Sequence, residues 1–456
     1  MQNFIKLDRA APEKEAANER LKHFGEIYRL FDTPKAAAQA ERCVQCGDPY
    51  CSVNGCPIHN HIPHWLKSIA EKNPRRAFLL SNENSPFPEI LGRICPQERL
   101  CEGACTLGVD NFGAISIGAI ETAIAERGFE SGYEINYPAP DKNAKKVAVI
   151  GSGPASLSAA TFLARAGIAV EIFEAADRAG GLLTYGIPGF KLNKSVVDRR
   201  FEMLKKSGAQ IHLNHDVNEK NFGEILAKFD AVFVGVGARK PTSARIENED
   251  AKGVYSAIDF LTASQKVLFG AKDAALFDAK DKNIVVIGGG DTAMDCVRAA
   301  LRLGAKLATC VYRRSEADMP GSKKEFINAK EEGAEFIFNR APAKIAITNG
   351  KVAAAVFALT KSAGRSQMEV VDSDIIEIAA DAVIMALGFA HQEKSWLANN
   401  GVQLAENGAI LVDQDQRASN PKIYAGGDAA RGASLAVKAA LDGKRAAFAI
   451  IKSLLK

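Results

Sequence analysis

The sequence predicts an α/β fold in which an N-terminal α-helical domain precedes two nested Rossmann-like domains. Two strand–glycine turn–helix–strand units, at 147–174 and 283–314, predict the nested pair, because such units build doubly wound parallel sheets. Seven of the nine cysteines lie between Cys43 and Cys105, ahead of both units, and set the first domain apart. The expected boundaries are 1–140 for the cysteine-rich domain, 145–270 and 390–456 for a discontinuous first nucleotide domain, and 271–389 for a second one inserted into it.

Composition places the chain among ordinary globular proteins. Of its 456 residues, 47% are hydrophobic and 25% are charged, and the net charge is only +4, with Lys and Arg scattered along the chain. The sequence contains no basic patch that would predict binding to nucleic acid. It also contains no run of 18 apolar residues that would predict a membrane span. Because the first 20 residues are too charged for a signal peptide, we expect a cytoplasmic protein.

The first unit carries a dinucleotide-binding fingerprint. An apolar strand leads into Gly151-x-Gly153-x-x-Ser156, in which Gly151 permits the tight turn and Gly153 lets a pyrophosphate approach the backbone. The second strand ends at Glu174, where a carboxylate can accept hydrogen bonds from ribose hydroxyls. A purely structural glycine turn is the alternative, but it does not explain the position of Glu174. The candidate binding residues of this unit are Gly151, Gly153, Pro154, Ala155, Ser156 and Glu174.

The second unit repeats the fingerprint but ends differently. Gly288-x-Gly290-x-x-Ala293 opens its helix, and Arg313 and Arg314 stand where the first unit has an acid. An acid would repel a 2′-phosphate, whereas arginine binds phosphate oxygens bidentately, so this end favours NADP over NAD. A solvated basic corner is the alternative. The candidate binding residues of this unit are Gly288, Gly290, Asp291, Thr292, Ala293, Arg313 and Arg314.

The cysteine spacing indicates metal binding rather than disulfides. The pattern is Cys43-x2-Cys46-x4-Cys51-x4-Cys56-Pro57, followed by Cys95-Pro96-x4-Cys101-x3-Cys105. A proline after a ligand cysteine is typical of ferredoxin runs, in which one cysteine of a run ligates the other cluster. Zinc is the alternative, but only one C-x2-C pair is present and seven thiolates do not divide into two four-cysteine sites. The pattern therefore favours iron–sulfur clusters.

Seven thiolates predict one cluster with four cysteines and one with three cysteines plus another ligand. By the ferredoxin logic, the first set is Cys43, Cys46 and Cys51, and the second set is Cys56, Cys95, Cys101 and Cys105. Glu121 is a candidate for the missing ligand, with a solvated helix residue as the alternative. The histidines at 59, 61 and 64 follow Cys56 closely, but turn or surface roles are favoured for them.

Other segments carry structural predictions. Residues 13–31 are predicted to form an amphipathic helix, and 34–42 a second one. The glycine- and proline-rich stretch at 180–189, which includes Gly181 and Leu182, predicts a shaped loop close to a flat ring. Residues 335–372 are predicted to alternate short strands and turns.

The combination of motifs indicates electron transfer. NADPH releases two electrons together as hydride, iron–sulfur clusters accept one at a time, and a flavin converts between the two. The first unit suits the ADP half of FAD because of its terminal acid, and the second suits NADPH. Hydride transfer between stacked rings needs orientation, so no general acid or base is assigned.

In this combination the chain resembles the small (beta) subunit of bacterial NADPH-dependent glutamate synthase. The motifs GSGPAS, GGLLTYGIP, GGGDTAMDC, VYRR and YAGGDAARG carry the resemblance, together with the seven cysteines, over essentially the whole chain. It implies an oxidoreductase with FAD, NADPH and two [4Fe–4S] clusters. It also implies a large (alpha) partner subunit with FMN, where glutamine and 2-oxoglutarate become two glutamates. Asp428, with Gly427 before it, would then meet the ribityl or phosphate region of the flavin, and Leu435, Ala436 and Val437 would lie near its ring.

The chain also resembles the N-terminal half of dihydropyrimidine dehydrogenase, in which a glutamine is the odd cluster ligand. The corresponding position here would be Glu121. Cys51 and Cys56 are separated by four residues where three are expected, which predicts a bulged loop.

Two rival functions stay open. One is a related reductase subunit that feeds ferredoxin or a pyrimidine dehydrogenase, and the other is a non-enzymatic redox sensor.

Overall fold

The computed structural model describes residues 1–271, 274–362, 368–392 and 394–455. A helical N-terminal part precedes two parallel β-sheets, as the sequence predicts, and the fold is α/β. No helix in these described ranges is long and apolar enough to cross a membrane.

The N-terminal part consists of helices packed around one apolar core. The fully buried side chains of Trp65, Phe78 and Ile120 lie at its centre. Local capping explains two of the helix starts, since Asp32 accepts a hydrogen bond from the Lys35 amide and Asn73 accepts one from the Arg76 amide. The helices are α1 (Ala17–Arg20), α2 (Thr33–Glu41), α3 (Ile62–Ala70), α4 (Pro74–Asn84), α5 (Pro88–Ile94), α6 (Thr106–Val109) and α7 (Ile117–Glu130), with a π-helical turn at Cys51–Gly55.

The predicted long helix at 13–31 is wrong, because only Ala17–Arg20 is helical there. The chain instead doubles back, and the Glu15 amide donates to the Ile27 carbonyl at 3.0 Å. The apolar residues of this stretch serve two separate cores: Ile27 packs under the second sheet, whereas Phe31 packs in the helical part. One face of a single helix cannot supply both cores. The second predicted helix is confirmed by α2.

The first sheet is parallel, with the strand order β15-β4-β1-β2-β3. Its strands are β1 (Lys146–Ile150), β2 (Ala169–Phe173), β3 (Gln210–His212), β4 (Ala231–Val234) and β15 (Ile423–Ala425). Helices α8 (Pro154–Arg165), α10 (Lys194–Lys206) and α17 (Ala436–Leu454) cover one face, and α11 (Phe222–Lys228) and α15 (Ser395–Ala398) cover the other. Two one-turn helices lie in connections of this sheet: α9 (Leu182–Tyr185), inside the stretch predicted as a loop at 180–189, and α16 (Asp428–Arg431). Val147 and Val149 point to the first core and Ala148 and Ile150 to the second, as a strand buried on both faces requires.

The second sheet is also parallel, with the strand order β6-β13-β7-β8-β9. Its strands are β6 (Val254–Ser256), β7 (Asn283–Ile287), β8 (Leu307–Tyr312), β9 (Glu335–Phe338) and β13 (Ala382–Met385). Helices α12 (Ala257–Leu268), α13 (Asp291–Arg302) and α14 (Lys323–Glu331) share one core with this sheet. Because β6 belongs here, the segment predicted at 145–270 contributes strands to both sheets. The proposed domain boundaries themselves stay a prediction.

An antiparallel sheet covers the other face of the second parallel sheet. Its strands are β10 (Arg340–Thr348), β11 (Lys351–Ser362) and β12 (Met368–Ala379), and Phe357 packs with Val285 and Ile287 of β7. These strands are longer than the short strands predicted for 335–372, of which residues 363–367 lie outside the described part. The chain passes from the first parallel sheet to the second and later returns. A short antiparallel pair, β5 (Lys240–Pro241) with β14 (Phe389–Ala390), joins these two connecting segments.

Candidate functional site

One large cavity, of about 610 Å³, lies where the two parallel sheets and the helical part meet. Most residues predicted from the two fingerprints, the glycine-rich stretch and the C-terminal motif line it. They are Gly151, Gly153, Pro154, Ala155, Glu174, Gly181, Leu182, Asp291, Thr292, Gly427, Asp428, Leu435 and Ala436. The structure thus brings into one cavity residues that are nearly 290 positions apart in sequence.

The glycine turn of the first unit leaves room for a dinucleotide. Gly151 has φ +84°, and a Cβ there would lie 2.7 Å from the Gly235 carbonyl oxygen, so only glycine fits without strain. At Gly153 a Cβ would meet no heavy atom within 4 Å and would point into open space. Since Gly153 lines the cavity at the N-terminus of α8, a phosphate can approach its backbone there. The turn therefore fits the pyrophosphate of FAD.

The carboxylate of Glu174 is held at the end of β2 by two hydrogen bonds. The Ser152 hydroxyl donates to one oxygen, and the Ala176 amide donates to the other at 2.8 Å. Ser152 also accepts a hydrogen bond from the Gly180 amide at 2.8 Å, which ties the glycine-rich loop to the fingerprint turn. Sequence reasoning missed Ser152, because the fingerprint leaves that position free.

Asp428 lies opposite this turn, after β15. Its carboxylate accepts a hydrogen bond from the Ser434 amide at 3.1 Å, and burial raises its pKa to about 6. Asp442 stabilises the loop that contains Asp428. Its carboxylate accepts a hydrogen bond from the Gly427 amide at 3.0 Å and forms an ion pair with Arg431. Asp442 is buried and lies on α17, and none of the sequence motifs includes it.

The remaining predicted nucleotide residues lie around the cavity rather than on its wall. Ser156 is buried and its hydroxyl faces the Gly235 carbonyl oxygen at 3.5 Å, consistent with close helix–sheet packing. Arg313 is exposed and Arg314 half-buried directly after β8. The neighbouring strand carries the second turn, where the Gly288 amide donates to the Val311 carbonyl at 3.0 Å. Gly290 and Ala293 open α13 as predicted, and a Cβ at Gly290 would meet no heavy atom within 4 Å. That turn fits the phosphates of NADPH.

A buried ion pair crosses the cavity between the two sheets. Lys191, which follows the glycine-rich loop, lies 3.0 Å from the Asp295 carboxylate on α13. Burial acts to lower the pKa of Lys191, but Asp295, Glu325 and Asp291 together raise it above its usual value, so the amine stays charged. Both residues line the cavity, and neither belongs to a fingerprint. Only the fold shows that this lysine and this acid meet.

Seven thiols surround two smaller cavities in the helical part. The first, of about 20 Å³, is lined by Cys43, Cys46, Cys51 and Cys105. The second, of about 30 Å³, is lined by Cys56, Cys95, Cys101 and Glu121. Within the described residues, no three His, Cys, Asp or Glu side chains converge closely enough to hold a single metal ion. In both places the thiols surround a small space, as ligands of a multi-atom cluster do.

The assignment of Cys105 to the second set is wrong, because Cys105 lies with Cys43, Cys46 and Cys51. The reason is an interlock of two loops: a Cβ at Gly55 would lie 2.8 Å from the Cys101 Cα, so the loop at 100–104 passes directly against the π-helical turn. The chain then carries Cys105 beyond this turn to the first cavity. There the neighbouring Thr106 hydroxyl faces the Cys46 sulfur at 3.9 Å.

Glu121 faces the second thiol cavity from α7, and is not a solvated helix residue. Asn60 donates a hydrogen bond to its carboxylate at 2.6 Å, and burial raises its pKa to about 8. The histidines point elsewhere: the His59 ring contacts the Ser52 carbonyl oxygen and the His61 ring faces Glu83. Glu121 thus lies beside Cys56, Cys95 and Cys101. Its predicted place as the missing ligand of the first set is wrong, because Cys105 lies with that set instead.

The large cavity and the second thiol cavity share a wall. Cys95 and Gln97 line both of them. On the opposite side, Ala436 lines the large cavity and its neighbour Val437 lines the thiol cavity. The segment that carries Cys95 therefore lines both the large cavity and the second thiol cavity.

A helical domain with two thiol-lined cavities, followed by two nested nucleotide-binding sheets, defines an oxidoreductase of the pyridine nucleotide-disulphide oxidoreductase class. The model of that family matches residues 145–443, and the model of dihydropyrimidine dehydrogenase domain II, 4Fe-4S cluster, matches residues 20–133. The second match supports iron–sulfur rather than zinc. The chain is 44% identical to the glutamate synthase [NADPH] small chain of Escherichia coli (strain K12), over 99% of this chain and 98% of that one. It belongs to the family of NADPH-dependent glutamate synthase small chains.

Three further comparisons define the breadth of the likeness. The putative oxidoreductase AegA of Escherichia coli (strain K12) is 43% identical over 97% of this chain, which spans 69% of that protein. Among solved structures, FprA of Mycobacterium tuberculosis in complex with NADPH gives a TM-score of 0.57 at 19% identity, over 68% of this chain and 85% of that one. Thioredoxin reductase of T. acidophilum gives 0.52 at 24% identity, over 68% and 100%. These two structures show the fold of the nucleotide-binding part.

Proposed function

We propose that the chain oxidises NADPH at an FAD held in the large cavity and passes electrons through two [4Fe–4S] clusters to a large FMN-containing subunit. That partner would make glutamate from glutamine and 2-oxoglutarate. The relatives named as glutamate synthase small chains support this assignment, since they match nearly the whole chain. NADPH-dependent electron transfer is the part of the proposal on which the family and the fold agree.

The shared wall at Cys95 and Gln97 is the observation that carries the proposal. A bound FAD would supply the conversion of hydride into single electrons that iron–sulfur clusters accept. The chain places the thiol ligand Cys95 on the wall of the same cavity that the glycine turn and Asp428 line. Electrons leaving this cavity therefore meet the set of Cys56, Cys95, Cys101 and Glu121 before the set of Cys43, Cys46, Cys51 and Cys105.

The surface beside the first thiol cavity suits a protein partner. Tyr50 lines this cavity and is exposed, and Val53 is exposed two residues after Cys51. Val109 and Phe112, which follow Cys105, are exposed as well. Exposed apolar side chains that flank one site are typical of interaction surfaces. We place the contact with the large subunit here, where the last cluster in the chain would come nearest to a partner's redox centre.

Reconstitution with the large subunit tests the proposal. Protein purified without oxygen should contain about eight irons, as two four-iron clusters require. The Cys51→Ser variant should still reduce a dye with NADPH, because the large cavity is intact, but should lose glutamine- and 2-oxoglutarate-dependent NADPH oxidation. Glutamate formation by this variant at the normal rate would refute the electron route.

Surface variants test the docking face separately. Val109→Glu should weaken binding to the large subunit about tenfold or more, while Ile375→Glu, an exposed apolar position on β12, should not. Removal of residues 1–140 would be a poorer test, because Arg93 to Glu98 line the large cavity and their loss would open it.

A reductase for a different acceptor is the second candidate. The identity to AegA, at 43%, is close to that of the glutamate synthase small chain of Escherichia coli. Capture of binding partners with this chain as bait distinguishes the two. A large FMN protein supports the first proposal, whereas a different redox protein that NADPH reduces through this chain supports the second.

A further inference from the structure

We infer that Arg20, at the tip of a strap formed by residues 13–29, is a positioning residue that fixes the second sheet in the orientation needed for hydride transfer. The inference rests on the proposed transfer between NADPH and FAD and adds the element that keeps their two sites aligned. The strap belongs to the N-terminal part, yet it lies on helices of the second parallel sheet.

The base of the strap is attached to the helical part. The Ala10 amide donates to the Gln39 side chain at 2.9 Å, and the Ser116 hydroxyl donates to the Ala10 carbonyl. The two arms of the strap pair with each other, since the Arg29 amide donates to the Glu13 carbonyl at 2.9 Å. The strap is therefore a hairpin-like loop with a fixed root.

The tip of the strap inserts a buried cation between acids of the second nucleotide-binding part. The Arg20 side chain is 1% exposed and donates to Glu332 at 2.8 Å and to Glu331 at 2.8 Å. It also donates to the Asn328 carbonyl at 3.1 Å, on α14. Tyr28, on the other arm, donates to the Asn328 side chain at 3.0 Å. Both arms of the strap therefore form hydrogen bonds with the C-terminal end of α14.

The acids under Arg20 are shared with helix α13. Arg298 and Arg302 each place two nitrogens against the Glu332 carboxylate, and Arg298 also pairs with Glu325. Together with Arg20 and Glu331, these form a network of three arginines and three glutamates that is buried except at Glu331, where Lys14 of the strap adds a further cation. Removing one member of such a network leaves buried charge unpaired, which is strongly unfavourable.

The strap also contacts the first nucleotide-binding part. A Cβ at Gly189 would lie 2.5 Å from the Phe24 carbonyl oxygen, so the strap backbone touches the loop at Gly189 directly. Beside the strap, the guanidinium groups of Arg298 and Arg302 on α13 each lie 4.2 Å from the centre of the Phe190 ring, which belongs to the same loop. Glu26 accepts hydrogen bonds from Arg93 at 2.7 Å and from the Asn193 amide at 2.8 Å. The strap therefore joins all three parts of the chain.

This position matters because α13 carries part of the nucleotide site. Asp291 and Thr292, at its first turn, line the large cavity, and Arg298 follows two turns later on the same helix. Parts of one chain that fold around separate cores move relative to each other by default. Hydride transfer requires reacting atoms about 3–3.5 Å apart, and a misplacement of about 1 Å can cost about 100-fold in rate. A strap that holds α13 against the first part removes this freedom.

Rapid mixing of the intact FAD- and cluster-loaded protein with NADPH, without oxygen, tests the inference. Arg20→Met should lower the limiting rate of flavin reduction about 10- to 100-fold, while the dissociation constant for NADP⁺ changes less than about threefold, because the pocket itself is untouched. Arg20→Lys should recover part of the rate. The matched control is Arg29→Met, on the same strap, because Arg29 is exposed and its nearest acid, Glu13, is 3.9 Å away. It should behave like the unmodified protein.

Hydrogen exchange supplies a readout that is independent of activity. In Arg20→Met the amides of residues 13–29 and of α14 should exchange at least tenfold faster, and in Arg29→Met they should not. If Arg20→Met does not fold, Tyr28→Phe removes only the bond to Asn328 and should give the same changes in smaller size. Unchanged exchange and an unchanged reduction rate in these variants would overturn the inference. Failure of NADPH to reduce the unmodified protein would instead refute the proposed function, and the exchange result would still decide whether the strap holds the sheets.

Discussion

Replacing Gly443 by alanine tests how closely α17 must approach α8 to shape the flavin cavity. A Cβ at position 443 would lie 2.0 Å from the Ala155 carbonyl oxygen and 2.9 Å from the Ala159 nitrogen. Ordinary contacts of this kind begin near 3.4 Å, so the helices must separate by more than 1 Å. Overpacking of this size costs about 1–3 kcal/mol beyond the roughly 1 kcal/mol that alanine returns through helix propensity. Ala155 lines the cavity, so we expect FAD affinity to fall about tenfold or more.

The matched control is Gly223→Ala, in the exposed part of α11. No heavy atom lies within 4 Å of a Cβ at that position, so alanine should stabilise the protein by about 0.5–1 kcal/mol. The assay is the thermal midpoint of the loaded protein, together with the concentration of free FAD needed to keep the site filled. Equal midpoints and equal FAD retention in the two variants would refute the close-approach reasoning.

Three further predictions concern the nucleotide and cluster sites. Replacing Arg313 and Arg314 by alanine should raise KM for NADPH about 10- to 100-fold more than KM for NADH, and equal effects would show that the pair does not read the 2′-phosphate. Lys191→Met leaves Asp295 buried without its cation, so we expect at least a tenfold slower flavin reduction in rapid mixing, and an unchanged rate would exclude a role for the pair. Glu121→Ala should remove or alter one of two cluster signals in electron paramagnetic resonance, and two normal signals would show that Glu121 is not a ligand.

The two fingerprints could be found from sequence because their chemistry is local. Gly151 and Gly153 are needed within one turn, and the distance to Glu174 is set by one strand, one helix and another strand. The nested order followed from the repeat of this unit at 283–314. Nothing comparable marks Lys191 and Asp295, which are separated by more than 100 residues and meet only when the two sheets face each other.

The errors arose where non-local packing decided the outcome. The ferredoxin pattern places Cys105 with Cys56, Cys95 and Cys101, whereas the interlock at Gly55 carries it to the other cavity. The helical periodicity at 13–31 was real, but Arg20 lies in the middle of it and is buried among glutamates more than 300 residues away. The spacing of hydrophobic residues alone does not reveal that a charged side chain will be buried against distant parts of the chain.

The wall shared at Cys95 and Gln97 has a consequence for how the protein matures. A cluster bound at Cys95 would order a segment that also lines the large cavity, and the binding free energies of the two cofactors would then be coupled. Such coupling is reciprocal: whatever factor the cluster adds to FAD affinity, FAD must add to cluster affinity. If the coupling is favourable, protein made under iron limitation would retain less flavin as well as less iron.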